Sequence, residues 1–100
     1  MRSQLDEQTR VHAIVHGRVQ GVSFRFFTQR TAEELRLTGW VRNRRDGTVE
    51  AVAEGPLAQI GRFVSFLHRG SPSAQVAHVD VRYSQPTGEF SGFFIRYDLD

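Results

Sequence analysis

The spacing of apolar residues switches between a strand period and a helix period along this chain, and the order of the switches constrains the fold more than any single motif. Over Arg10–His16, Val11, Ala13 and Val15 alternate with His12, Ile14 and His16, as in a strand with one buried face. From Phe24 to Leu37 the spacing turns helical, with Phe24, Phe27, Thr31 and Leu35 in line, Ser23 placed to cap the start and Gly39 to stop the end. Two β-prone runs, Gly39–Asn43 and Thr48–Glu54, flank Arg44–Gly47, whose Asp46-Gly47 step favours a tight hairpin. Pro56 at a first helical position then opens a second helix marked by Leu57, Ile60, Val64 and Leu67, with Phe63 and Phe66 beside them. Val76–Tyr83 alternates again, Ala77, Val79, Val81 and Tyr83 opposing Val76, His78, Asp80 and Arg82, and Phe93–Tyr97 supplies a short terminal strand, read as an edge.

Strand, helix, strand, strand, helix, strand is a split β-α-β order. The expected fold class is therefore α+β, a ferredoxin-like βαββαβ sandwich with a mainly antiparallel sheet and two helices on one face. Residues 1–9 read as a flexible leader and residues 10–100 as one domain. The 100 residues, 39% hydrophobic, suffice for a single core without a staple. Absence of Cys excludes disulfides, a thiolate nucleophile and Cys-ligated metal sites. All 13 basic residues are Arg, against 11 acidic ones, so the net charge is only +2 although the pI reaches 9.9. That balance is a weak signal for nucleic acid. No apolar run approaches a membrane span and the first residues lack a signal-peptide stretch, so a cytoplasmic location is expected.

Chemistry concentrates in Gly17–Arg25, GRVQGVSFR, which joins a strand end to a helix start. Glycines permit backbone angles that turn amides inward, and N-H groups at a helix N-terminus form a concave anion site. Arg25 in the first turn adds a charge-assisted contact. Gly-rich connections are also common without any ligand, and this loop is neither a Walker loop, since the chain has no Lys, nor a dinucleotide fingerprint. A second segment, Gly39-Trp-Val-Arg-Asn43, ends on Asn43, a residue type that equally favours strand ends. His12 and His16 lie about 13 Å apart along one strand, too far to share a metal, so the four histidines read as structural or solvated and neither a metal nor a cofactor is implied. Trp40, Phe26, Phe27, Phe63 and Phe66 read as core, and Arg42, Arg44 and Arg45 as a small water-facing basic cluster.

With both segments in this order, the chain resembles the acylphosphatase family: GRVQGVSFR resembles its phosphate loop and GWVRN its second signature, and the likeness extends from Arg10 to Tyr97. The resemblance implies a hydrolase that cleaves acyl phosphates to carboxylate and inorganic phosphate by attack of water on phosphorus. It implies Arg25 as the phosphate-binding catalytic residue and Asn43 as the one that orients water. The amides of Val19, Gln20, Gly21, Val22, Ser23, Phe24 and Arg25 complete the cradle. The family includes domains fused to larger carbamoyl-transferring maturation proteins; a chain ending at Asp100 is expected to stand alone.

A carboxylate whose conjugate acid has a pKa near ~4 to 5 departs unprotonated. So small a site therefore suffices without a strong general acid or a covalent nucleophile, its task being to neutralise phosphoryl oxygens. Expected partners are a small acyl phosphate and inorganic phosphate, as product and inhibitor, with no nucleic acid or membrane and a monomeric state. Two other readings share the fold class: an RNA-binding module, weakly suggested by Gly92–Tyr97 but lacking the central-strand pattern of such modules, and a small-molecule regulatory domain.

Overall fold

Alternation along β1 (Gln8–Arg18) decides which side of the sheet is covered: Val11, Ala13 and Val15 are fully buried, whereas His12, Ile14 and His16 lie on the other face and are half-buried. The computed structural model describes residues 4–99. After β1 come α1 (Phe24–Glu34), β2 (Thr38–Asn43), β3 (Val49–Pro56), α2 (Leu57–Arg69), β4 (Gln75–Ser84) and β5 (Phe93–Arg96). The sheet order is β4-β1-β3-β2-β5; β1 is antiparallel to both neighbours, β2 is antiparallel to β3, and β5 adds to β2 in parallel at the edge. This is the α+β ferredoxin-like arrangement that the period switches predict.

Both helices cover the Val11–Ala13–Val15 face. Ile60, Phe63 and Leu67 of α2 are fully buried, and α1 contributes Phe24, Thr28 and Ala32. Burying each large side chain stabilises by about 1.5–3 kcal/mol. The buried row of α1 is rotated from the predicted one: Thr28 and Ala32 sit inside, where small side chains allow a close approach, and Phe27 and Leu35 flank them. In α2, Phe63 is central and Val64 lateral.

Several expected boundaries shift for identifiable reasons. β1 begins at Gln8, two residues before the alternation does, because Gln8 and Thr9 pair with Pro56 and Gly55, and a 3-10 turn at Gln4–Asp6 precedes it. Met1 to Ser3 of the expected leader lie outside the described residues. Gly39 does not stop α1. Arg36 does, at φ 58°, with Arg36 N-H donating to Glu33 O and Leu37 N-H to Ala32 O, the double bond pattern of a Schellman end. Gly39 belongs to β2, where a Cβ would lie 1.9 Å from Val52 O. Pro56 ends β3 and caps α2 rather than entering its first turn. In β4 the pairing slips between His16 and Gly17, so that Ala77 is the extra residue: it is exposed, and Val76 packs on the core instead. Tyr83, on the predicted inner face, is 53% exposed beyond the helices' cover.

The uncovered face carries ion pairs. Arg42 Nε donates to Glu50 Oε1 at 2.8 Å and Arg42 Nη1 to Asp98 Oδ2 at 3.0 Å, so Arg42 is held on the sheet rather than facing water. Trp40 lies on this face too, with the guanidinium carbons of Arg96 and Arg42 4.5 and 5.4 Å from its ring centre. His12 Nε2 is 2.7 Å from Glu50 Oε2, and His16 and His78, opposite one another across β1 and β4, both contact the Asp80 carboxylate.

Candidate active site

The connection from β1 to α1 is shaped by residues that leave the ordinary backbone regions. Gly17 has φ 129°, and a Cβ there would lie 2.2 Å from Gln75 O of the adjoining strand, so only glycine lets β1 end against β4. Gly21 at φ 74° and Ser23 at φ 62° are both left-handed with Val22 between them. Left-handed residues alternating with ordinary ones are the geometry in which successive amides converge on an anion. Ser23 does occupy the N-cap position of α1, but its side chain makes no capping bond; the first turn is closed by Phe27 N-H donating to Ser23 O at 3.2 Å.

Three anchors fix the loop. Val19 and Val22 are buried in the core, Ser71 Oγ donates to Val22 O at 2.6 Å, and Gln20 Nε2 donates to both Arg44 O at 2.7 Å and Thr48 O at 2.8 Å. The last anchor ties the loop to the β2–β3 hairpin. That hairpin closes as predicted around Asp46 and Gly47: Gly47 N-H donates to Arg44 O, Arg44 N-H to Thr48 O, and Thr48 N-H and Oγ1 to Asp46 Oδ1. Asn43 stands at its base, so Gln20 ties the loop to the turn that immediately follows the second segment.

Loop and hairpin border a pocket of about 400 Å³ lined by Val19, Gly21, Ser23, Phe24, Arg25, Phe26, Asn43, Ile95 and Tyr97. Arg25 and Asn43, 18 positions apart in sequence, therefore share one cavity. Of the cradle residues, Val19, Gly21, Ser23, Phe24 and Arg25 line it; Gln20 and Val22 do not, their side chains serving as tether and core anchor. Arg25 lies in the first turn of α1, where a cation opposes the helix dipole. Its guanidinium carbon sits 5.2 Å from the centre of the Tyr97 ring, which holds it by a cation-π contact. Asn43 Oδ1 is, among the described residues, the buried side-chain oxygen without a hydrogen-bond partner.

Three pocket residues lie outside the two segments. Phe26, expected in the core, is 55% exposed at the pocket rim, because the next position on α1, Phe27, takes the inward direction. Ile95 and Tyr97 arrive through the parallel pairing of β5 with β2, whose last partners are Arg42 and Arg96; Asn43 and Tyr97 each follow by one residue. Nothing local in the sequence announces that pairing.

Fold and pocket together define a small α+β domain whose pocket is bordered by the Gly17–Arg25 loop and carries Arg25 and Asn43. The family model for acylphosphatases matches residues 11–95. An acylphosphatase of Pelotomaculum thermopropionicum is 47% identical over 90 residues, covering 90% of this chain and 98% of its own, and one of Syntrophotalea carbinolica is 49% identical over 88 residues, covering 88% and 96%. The crystal structure of acylphosphatase from Bacillus subtilis superposes with a TM-score of 0.86 at 43% identity, over 89% of this chain and 99% of that one. The chain belongs to the acylphosphatase family.

Proposed function

We propose that Arg25 and Asn43 carry the acylphosphatase reaction of this chain, the hydrolysis of the carboxyl-phosphate bond of an acyl phosphate. Loop amides and the Arg25 guanidinium take the phosphoryl oxygens, whose charge they neutralise as the bond to the acyl oxygen loosens. The carboxylate leaves as an anion and needs no proton. The Asn43 carboxamide holds water in line with that bond, and the proton released as water attacks phosphorus passes to a phosphoryl oxygen, since a carboxamide is not a base. The observation that supports this reading is that Asn43 lines the same pocket as Arg25 while its Oδ1 has, among the described residues, no hydrogen-bond partner, an acceptor that a water O-H could use.

Inorganic phosphate, the product, competes for the same cradle. In this reading the acyl phosphate is the small-molecule substrate and the domain works as a cytoplasmic monomer. The test is hydrolysis of acetyl and benzoyl phosphate in metal-free buffer. Wild type turns them over, and Arg25→Ala loses about 100–1,000-fold together with inhibition by phosphate. Equal kinetics of wild type and Arg25→Ala reject the role given to Arg25.

A further inference from the structure

Phe26 is an apolar ring that the packing of the domain does not require. It is 55% exposed, yet it stands edge-to-face with Phe27, centroids 5.4 Å apart and planes at 84°, and Phe27 is half-buried against the core. The ring is thus held from one side, and it contributes to the wall of the pocket. Tyr97, 77% exposed, lies over the Arg25 guanidinium in the same pocket, and Ile95 lies beside them with one side on the core. Arg25 is the one charged side chain among the described residues that line it. A phosphoryl group on Arg25 and the loop satisfies that charge. Whatever extends from the phosphoryl group then meets two aromatic rings and an isoleucine, with no second cation.

We propose that Phe26 and Tyr97 form the acyl-binding wall of this enzyme, which selects acyl phosphates with an uncharged aromatic or comparably bulky apolar acyl group. The proposal rests on the acyl phosphate reading above and deepens it. Acetyl is too small to cover the rings, so it gains little from their removal from water. An acyl group carrying its own carboxylate gives up hydration without finding a partner. A hydrophobic contact that one substrate makes and another lacks is worth about 10-fold or more in kcat/KM.

The experiment compares kcat/KM for benzoyl, acetyl and succinyl phosphate in wild type, Phe26→Ala and Phe26→Leu, with the inhibition constant of inorganic phosphate as a second readout. Wild type is expected to favour benzoyl over acetyl phosphate by about 10-fold or more and to disfavour succinyl phosphate. Phe26→Ala collapses the benzoyl-to-acetyl ratio toward one and Phe26→Leu retains part of it, while phosphate inhibition stays within about twofold. Intrinsic reactivity cancels when ratios are compared between variants. If a variant fails to fold, wild-type inhibition decides, with benzylphosphonate expected to bind about 10-fold more tightly than methylphosphonate. A benzoyl-to-acetyl ratio that survives Phe26→Ala, succinyl phosphate used as well as benzoyl phosphate, or equal inhibition by the two phosphonates overturns the acyl wall and leaves the hydrolase reading standing. Wild type hydrolysing none of the three overturns that reading and the wall with it.

Discussion

The β2–β3 ladder ends in a buried carboxylate at one end and a buried carboxamide oxygen at the other, under opposite rules. At one end, where Thr38 pairs with Glu54, the Glu54 side chain is only 5% exposed and its carboxylate is saturated: Arg10 Nη1 donates at 2.9 Å, and Thr87 N-H, Thr87 Oγ1 and Gly88 N-H each at 3.0 Å. At the other end, where Asn43 pairs with Val49, a carboxamide oxygen is buried with no hydrogen-bond partner among the described residues. An unpaired buried acceptor costs about 1–3 kcal/mol, a sizeable share of the roughly 5–15 kcal/mol that holds a small domain together. The saturated end fastens β1, β3 and the connection to β5. In the function proposed above, the unsaturated end keeps its acceptor for the water that attacks the substrate; on that reading it is the lack of partners, and not burial, that separates Asn43 Oδ1 from the Glu54 carboxylate.

The sharpest way to break this contrast is Asn43→Ala. We expect kcat to fall by about 100–1,000-fold, as on loss of a transition-state hydrogen-bonding group, while stability in urea unfolding is unchanged or rises by up to about 1–3 kcal/mol, because a buried acceptor without a partner is removed. Asn43→Ala that unfolds easily but turns over normally would make both ends structural. Glu54→Ala is the reverse experiment. It leaves the Thr87 and Gly88 amides without their acceptor and Arg10 with Glu89, 3.1 Å from its Nη1, as its remaining carboxylate partner, and should lower stability by about 1–3 kcal/mol with kcat unchanged where the protein remains folded. A kcat loss in folded Glu54→Ala matching that of Asn43→Ala erases the distinction.

How much of this was legible in sequence follows the same division. The covered face of β1 and the Asp46-Gly47 hairpin are local patterns, and so is the Gly17–Arg25 connection. Reading them yields the α+β order and places Arg25 at a helix start. Placing Asn43 beside Arg25 took the resemblance of two segments to a known family. The misses are cross-strand or depend on one angle. Ala77 leaves the inner face because β4 bulges against Gly17, and α1 ends on Arg36, an L-residue at positive φ that composition does not single out. Tyr97 reaches the pocket only through a parallel pairing, and Glu54 gains its partners from Thr87 and Gly88, 33 and 34 residues away. A period of two assigns faces; it does not assign neighbours.

Acid titration sharpens the saturated end further. Burial pushes the Glu54 carboxyl up, but the Thr87 and Gly88 amides and the Arg10 guanidinium together outweigh it and hold the group below its ordinary value. A carboxylate with a lowered folded pKa contributes stability that is fully present above the ordinary range, near ~4, and lost as pH falls through the lowered value. Glu54→Gln is therefore expected to be less stable than wild type at pH 7 by about 1–2 kcal/mol, and the gap to shrink as both are titrated below pH ~4. Urea midpoints across that range check it; a gap that stays constant removes Glu54 from the acid response.

The smallest expected effect tests what holds the unsaturated end in place. Gln20 is the side chain that joins the Gly17–Arg25 loop to the hairpin, through Arg44 O and Thr48 O, and it does not line the pocket. Gln20→Ala leaves two carbonyls each one donor short, although Arg44 O still accepts from Gly47 N-H and Thr48 O from Arg44 N-H. Stability should therefore fall by only about 1 kcal/mol. If the tether fixes the position of Asn43 against the loop, kcat falls several-fold while KM and phosphate inhibition, which report the loop amides and Arg25, change little. A rise in KM and weaker phosphate inhibition with kcat intact reverse that assignment: the tether then shapes the cradle, and Asn43 holds its place through the β2–β3 ladder alone.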